Sequence, residues 1–233
     1  MATSGMTSNI YKYNNEEDFN TDAAQAIEDF ILWKLKEQDS FSMALSGGNS
    51  PKGVYQKLGK NKKIEWSKIE LFMVDERHVP KESDQSNFKM IEEVLLSKIP
   101  PVKSFYDFNT NLTPEEAAES YDELLEKRKG RLFDLVILGL GADGHTASLF
   151  PKTEALKEKM KLATTGKSPD GMDRLTLTYP AIFSAEKIFF LIQGKEKEEM
   201  VEKLVSKSKR DPSEFPAKSI MKHPHVEIYY NCS

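Results

Sequence analysis

Five short apolar runs, separated by segments of helical pattern, limit the fold more than any other feature of this chain. "FSMALS" (41–46), "IELFMV" (69–74), "FDLVIL" (133–138), "KIFFLI" (187–192) and "VEIYY" (226–230) are strand-sized and dominated by apolar residues, the pattern of strands covered on both faces. Before and between them, apolar residues recur at helical spacing in "AAQAIEDFILWKLKEQ" (23–38), "SNFKMIEEVLLSKI" (86–99), "TPEEAAESYDELLEKRK" (113–129) and "KEKEEMVEKLVSK" (195–207). The third of these opens with Thr113 as N-cap, Pro114 at the first helical position and Glu116 to complete a capping box. A further strand is expected at "DRLTLT" (173–178), while Pro100-Pro101 and "TTGKSPDGMD" (164–173) read as loops. This order predicts an α/β fold: a mostly parallel, doubly wound, Rossmann-like sheet with helices on both faces, built as one domain over residues 1–233.

Composition excludes several function classes. Lys and Arg total 33 against 37 Asp and Glu, a net charge of −4, so no general basic field draws the chain to nucleic acid or to an anionic membrane. Cys232 is the only cysteine, which rules out an intrachain disulfide and a thiolate metal cluster and fits a reducing compartment. The opening "MATSGMTSNIYKYNNEEDFN" has no apolar signal core, and no apolar run approaches the roughly 20 residues of a membrane span. A cytoplasmic protein is the expectation.

In a doubly wound sheet ligands collect at the carboxyl ends of the strands. Three strand-end junctions stand out. The first, "SGGNSPKG" (46–53), combines two glycines with Ser50 and Pro51 as expected N-cap and first residue of a helix, which aims backbone N–H groups at an anion. A tight turn with a serine cap would read the same way. The second, "DERHVP" (75–80), places Asp75, Glu76 and Arg77 in succession, either at a site or as a solvated loop with local ion pairs. The third, "GLGADGHTASLFP" (139–151), contains G-x-G-x-x-G and so raises a nicotinamide dinucleotide site. It is not in the first strand-to-helix turn, and Pro151 follows Gly144 too soon for a long helix to carry a pyrophosphate. The glycines better suit a loop that presents Asp143 and His145.

These three junctions, in this order and spacing, resemble the 6-phosphogluconolactonases, with "GADGHTASLFP" the most diagnostic stretch. "RLTLT" (174–178) is similar to that family's arginine-bearing strand and "GKEK" (194–197) to its G-x-x-K turn, so the resemblance extends from Ser46 to Lys197. The implied fold is the one shared with glucosamine-6-phosphate deaminase and ribose-5-phosphate isomerase. The implied reaction is hydrolysis of 6-phospho-D-glucono-1,5-lactone in the pentose phosphate pathway, with no metal and no organic cofactor. The resemblance further implies that Arg174 and Lys197 bind the substrate phosphate together with Gly47, Gly48, Asn49 and Ser50, and that Gly144 contributes to substrate binding. Asn49 stands where the family more often has serine.

Ester hydrolysis needs an activated water, a partner for the oxyanion and a proton for the leaving oxygen. Histidine titrates nearest neutrality, so His145 is the expected general base. Asp143 either orients the site or accepts backbone hydrogen bonds within the glycine turn. Arg77 is the candidate for charge stabilisation at the carbonyl, with Asp75 positioning it or the sugar. Three rival readings remain: a deaminase-type sugar-phosphate isomerase, a non-catalytic sugar-phosphate sensor and a dinucleotide oxidoreductase. The deaminase pattern places a catalytic glutamate before the proline, where this chain has Phe150. Ser148 lacks a G-x-S-x-G elbow and is not read as a nucleophile. His223 and His225 are expected on the surface, and His78 in a loop beside the site. The expected partner is a small phosphosugar lactone; the sequence leaves the oligomeric state open, with a monomer favoured. The tail after Lys207 carries no functional signal.

Overall fold

Among the described residues of this computed structural model, strands β1 (Asn9–Tyr13), β2 (Phe41–Leu45), β3 (Ile69–Met73), β4 (Asp75–Arg77), β5 (Ser104–Tyr106), β6 (Leu135–Leu138), β7 (Ala163–Lys167), β8 (Asp173–Leu177), β9 (Lys187–Gln193) and β10 (Val226–Asn231) are interspersed with seven α-helices. The helices are α1 (Glu16–Lys34), α2 (Lys52–Gly59), α3 (Asn87–Val94), α4 (Pro114–Glu126), α5 (Tyr179–Phe183), α6 (Glu198–Val205) and α7 (Ala217–Ile220). The structure describes residues 9–128, 130–208 and 211–233. The start of the N-terminal stretch and Lys129, the last residue of one predicted helix, lie outside them.

Seven strands form one sheet in the order β1-β10-β9-β6-β2-β3-β5, with every neighbouring pair parallel. From β2 the chain moves outward through β3 to β5, returns to the other side of β2 for β6, and moves outward again through β9 to β10. With right-handed crossovers the helices of the two halves fall on opposite faces. The expected α/β, doubly wound parallel sheet is therefore the observed one. Every residue of β2 and β6 is buried, which accounts for their uninterrupted apolar runs. The connections of these two adjacent strands leave in opposite directions, and that divergence opens a crevice at their carboxyl ends.

A second, three-stranded antiparallel sheet, β4-β8-β7, covers one side of this crevice. It corrects two expectations. "DRLTLT" is a strand, but of the small sheet, and "TTGKSPDGMD" is not all loop, because β7 runs to Lys167 before a turn closed by Gly171 N–H donating to Ser168 O at 2.8 Å. The predicted helix over 86–99 ends at Val94 in a short 3-10 turn, and that over 195–207 begins as a 3-10 turn, Lys195–Lys197. The capping box of α4 forms as read, with Glu116 N–H donating to Thr113 Oγ1 and Thr113 N–H returning a bond to the Glu116 carboxylate at 3.0 Å.

His223 is not a surface residue. It is 6% exposed, with Nε2 3.0 Å from Ala185 O and Nδ1 accepting from His225 N–H at 3.2 Å. Both ring nitrogens are thus satisfied by the neutral Nε2–H tautomer. Burial pushes its pKa below the ordinary 6.5, and the bond to Ala185 O opposes that shift only in part. A folded pKa below the unfolded one means the contribution to stability is complete above about pH 6.5 and is lost as pH falls below it. Wild type is therefore expected to lose more stability between pH 7 and pH 5 than His223→Gln, measured by urea unfolding at each pH. Equal losses would contradict the assignment.

Candidate active site

The crevice holds a cavity of about 430 Å³, walled by the loops that leave β2, β3, β6 and β9. From β2 come residues 46–51. Gly48 has a φ of +89°, and a Cβ on Gly47 would lie 1.9 Å from the Asn87 side chain, so both glycines are required by geometry rather than by flexibility. The helix that follows starts at Lys52, with Pro51 and not Ser50 at its cap. Ser50 Oγ instead accepts the Gln193 N–H at 3.2 Å, which ties this turn to the end of β9. Gly47, Gly48, Asn49 and Ser50 therefore line the cavity at the positive end of α2, and Lys197 lines it from the neighbouring loop.

The β6 junction presents its histidine. Gly141 N–H donates to His145 O at 2.8 Å and Gly144 N–H to Gly141 O at 3.1 Å, closing a tight turn. A Cβ on Gly141 would lie 2.1 Å from His145 Nδ1, so the glycine makes room for the imidazole to lie over the turn. Asp143 Oδ1 is 2.5 Å from His145 Nδ1 and also accepts the His145 backbone N–H at 3.0 Å. Partial burial of Asp143 disfavours its charge, but the ring and backbone bonds from His145 outweigh that and hold the carboxyl below the ordinary range. With Nδ1 bonded to a carboxylate, Nε2 is the nitrogen left free. His145 lines the cavity, while Asp143 and Gly144 stand outside its wall. Gly144 packs instead against Phe215.

The "DERHVP" segment is a strand and a junction, not a solvated loop. Asp75 and Glu76 are 8% and 3% exposed. Asp75 lines the cavity, with Oδ2 accepting from Ser148 Oγ at 2.6 Å and its backbone O from Asn87 Nδ2 at 2.9 Å. Its local partners are therefore Ser148 and Asn87 rather than Arg77, and Ser148 is a hydrogen-bond donor to a carboxylate rather than a nucleophile. Glu76 accepts N–H bonds from Arg77, Asn87 and Phe88 at 2.7–2.8 Å and the Ser86 hydroxyl at 3.1 Å, fixing the start of α3 beneath the site. Burial raises its pKa, with the three backbone bonds opposing. Arg77 reaches the cavity wall while its Nη1 donates to Gln85 O at 2.5 Å. His78 stands apart, 2.8 Å from Leu112 O.

Arg174 does not line the cavity. It faces Arg77 across β4 and β8 and lies 5.9 Å from the Phe150 ring, whose other neighbour is the His145 ring at 4.4 Å. Burial, and the positive charge of Arg77, lower its pKa from the usual guanidinium value, and its buried Nε has no protein partner. Asn87, Gln193 and Glu196 also line the cavity, although the residue pattern assigned them no role. Among the described residues no group of His, Cys, Asp and Glu is placed to hold a metal ion, and no helix is long and apolar enough to cross a membrane.

The family model described as glucosamine-6-phosphate isomerases/6-phosphogluconolactonase matches residues 14–229. The chain belongs to this family. Among its curated relatives, the 6-phosphogluconolactonase of Thermotoga maritima is 41% identical over 165 residues, covering 70% of this chain and 74% of that protein. The Synechocystis 6-phosphogluconolactonase is 37% identical over 208 residues, covering 86% and 85%. The crystal structure of the Thermotoga maritima 6-phosphogluconolactonase superposes with a TM-score of 0.82 at 31% identity, over 97% of this chain and 99% of that one. The family assignment thus includes the β2, β3, β6 and β9 junctions that form the cavity.

Proposed function

We infer that this chain hydrolyses 6-phospho-D-glucono-1,5-lactone to 6-phosphogluconate in the oxidative pentose phosphate pathway. The observation that carries the reading is a cavity-lining histidine whose Nδ1 is held by Asp143 at 2.5 Å, in the same cavity as an anion cradle made by Lys197 and the 47–50 turn. The cradle takes the phosphate, with its backbone N–H groups and helix end supplying donors and Lys197 a charge. That places the sugar ring toward His145 and Arg77. Nε2 of His145 takes a proton from water as the water oxygen attacks C1, and Asp143 stabilises the imidazolium that results. Arg77 offers its guanidinium to the carbonyl oxygen as it becomes negative. The C1–O5 bond then breaks, and O5 leaves with the proton that His145 returns.

Asp75, fixed by Ser148 and Asn87, is placed to accept from a sugar hydroxyl. Arg174, beside Arg77, adds positive potential to a site whose substrate and product are both anions. Phe150 occupies the position where the deaminase pattern has its glutamate, and it covers the imidazole instead. That favours ester hydrolysis over aldose–ketose chemistry. A single domain acting as a monomer is the proposed working unit, with residues of both sheets meeting at one cavity. A cytosolic location accords with the lone cysteine.

The phosphate assignment has its own test. Removing a charge-assisted contact of about 1.5–3 kcal/mol is expected to raise KM for the phospholactone roughly 10- to 100-fold in Lys197→Ala. Hydrolysis of unphosphorylated gluconolactone by the same variant should match wild type. An unchanged KM for the phospholactone would remove Lys197 from the cradle.

A further inference from the structure

We propose that residues 211–217 form a clamp on the histidine-bearing turn, with Phe215 as a positioning residue for His145; the inference rests on the hydrolytic reading above and deepens it. Three contacts carry it. Gly144 has a φ of +84°, and a Cβ there would lie 1.8 Å from Phe215 Cδ2, so the ring sits directly on this Cα. Phe215 is 5% exposed and absent from the cavity wall, so it touches the turn without reaching the substrate. Ala217 N–H donates to Gly144 O at 3.0 Å, gripping the same residue through its backbone. At the far end of the loop, Lys152 N–H donates to Ser213 O at 2.8 Å and holds a lysine at φ +62°, a conformation lysine rarely adopts. The clamp is itself anchored, because Tyr179 Oη donates to Pro216 O at 3.0 Å.

What the clamp fixes is the angle of the imidazole. The Asp143–His145 bond spans Gly144, and the Gly141–His145 and Gly141–Gly144 backbone bonds make the turn one unit, so a displacement at Gly144 moves the ring that Gly144 separates from its carboxylate. General-base catalysis depends on that placement, and a shift of about 1 Å produced away from the reacting atoms can cost on the order of 100-fold in rate. Phosphate binding does not depend on it, because the cradle belongs to the loops that leave β2 and β9. Phe215 therefore governs kcat and leaves KM alone.

The test compares wild type, Phe215→Ala and Phe215→Leu by steady-state kinetics on the phospholactone and by ¹⁵N NMR of the His145 ring without substrate. Phe215→Ala is expected to lower kcat roughly 10- to 100-fold with KM within about twofold, and to shift the His145 ring resonances. Phe215→Leu, which refills most of the space and keeps the fold if the alanine variant does not, is expected to restore most of kcat. Unchanged kcat and unmoved resonances in Phe215→Ala would overturn the clamp, as would a rise in KM matching the fall in kcat; if the alanine variant does not fold, unmoved His145 resonances in Phe215→Leu would overturn it. If wild type itself fails to hydrolyse the lactone, the functional reading falls, and the resonances alone decide the clamp: a shift in Phe215→Ala supports it and no shift overturns it.

Discussion

Replacing His145 with alanine is expected to lower kcat for phospholactone hydrolysis by about 10²- to 10⁴-fold, the usual size of a general-base contribution, with little change in KM. In free energy this is about 3–5 kcal/mol of transition-state stabilisation. Stability should be nearly unaffected, since the imidazole is a cavity-lining group whose principal hydrogen-bond partner is the partly exposed Asp143. The carboxylate offers a sharper check. Asp143 touches the reaction only through the ring it holds, so Asp143→Ala should lose less than His145→Ala, and the double variant should be no slower than His145→Ala alone. Steady-state rates of the three variants decide this. Additive losses would mean that Asp143 contacts substrate or water on its own.

The second large effect falls on stability. Glu76→Ala removes the acceptor of three backbone N–H groups and the Ser86 hydroxyl in a buried setting. Each stranded donor costs about 1–3 kcal/mol, while relief from burying a charge, together with water entering from the neighbouring cavity, offsets part of the sum. A net loss of about 2–4 kcal/mol is expected by urea unfolding, larger than that of an ordinary surface change. Activity should fall as well in the fraction that stays folded. The start of α3 carries Asn87, whose side chain holds the backbone of Asp75, and β4 carries Arg77. A Glu76→Ala protein as stable as wild type would mean that α3 is fixed by its packing and not by this carboxylate.

Which parts of this were legible in the sequence follows from the range of the contacts involved. β2, β3, β6, β9 and β10 are central or near-central strands of a parallel sheet, so burial on both faces wrote them as apolar runs. β4 was not legible, because its sequence is Asp-Glu-Arg and its identity as a strand comes from pairing with β8 across about a hundred residues of chain. β7 hides behind Gly166 and Lys167, which read as turn residues, and β1 is a short edge strand with an exposed face. Asp143 and His145 were readable as a pair because they lie two residues apart in one turn. Apart from the bond of Glu76 to its neighbour Arg77, Asn87, Glu76 and Phe215 act on residues 10 or more positions away, and no local pattern marks them. Ser50 misled for a related reason: a serine before proline is the signature of a cap, but Gln193 from the far half of the sheet claims its hydroxyl. His223 misled likewise, since the pocket that buries it is built from the segment around Ala185.

The most direct test of the central claim is the rate at which purified protein opens freshly generated 6-phosphogluconolactone, followed through a coupled 6-phosphogluconate dehydrogenase and set against the spontaneous background and His145→Asn. The account predicts strong acceleration by wild type and a return toward background in the variant. Acceleration that survives in His145→Asn would contradict the mechanism, and no acceleration by wild type would contradict the function.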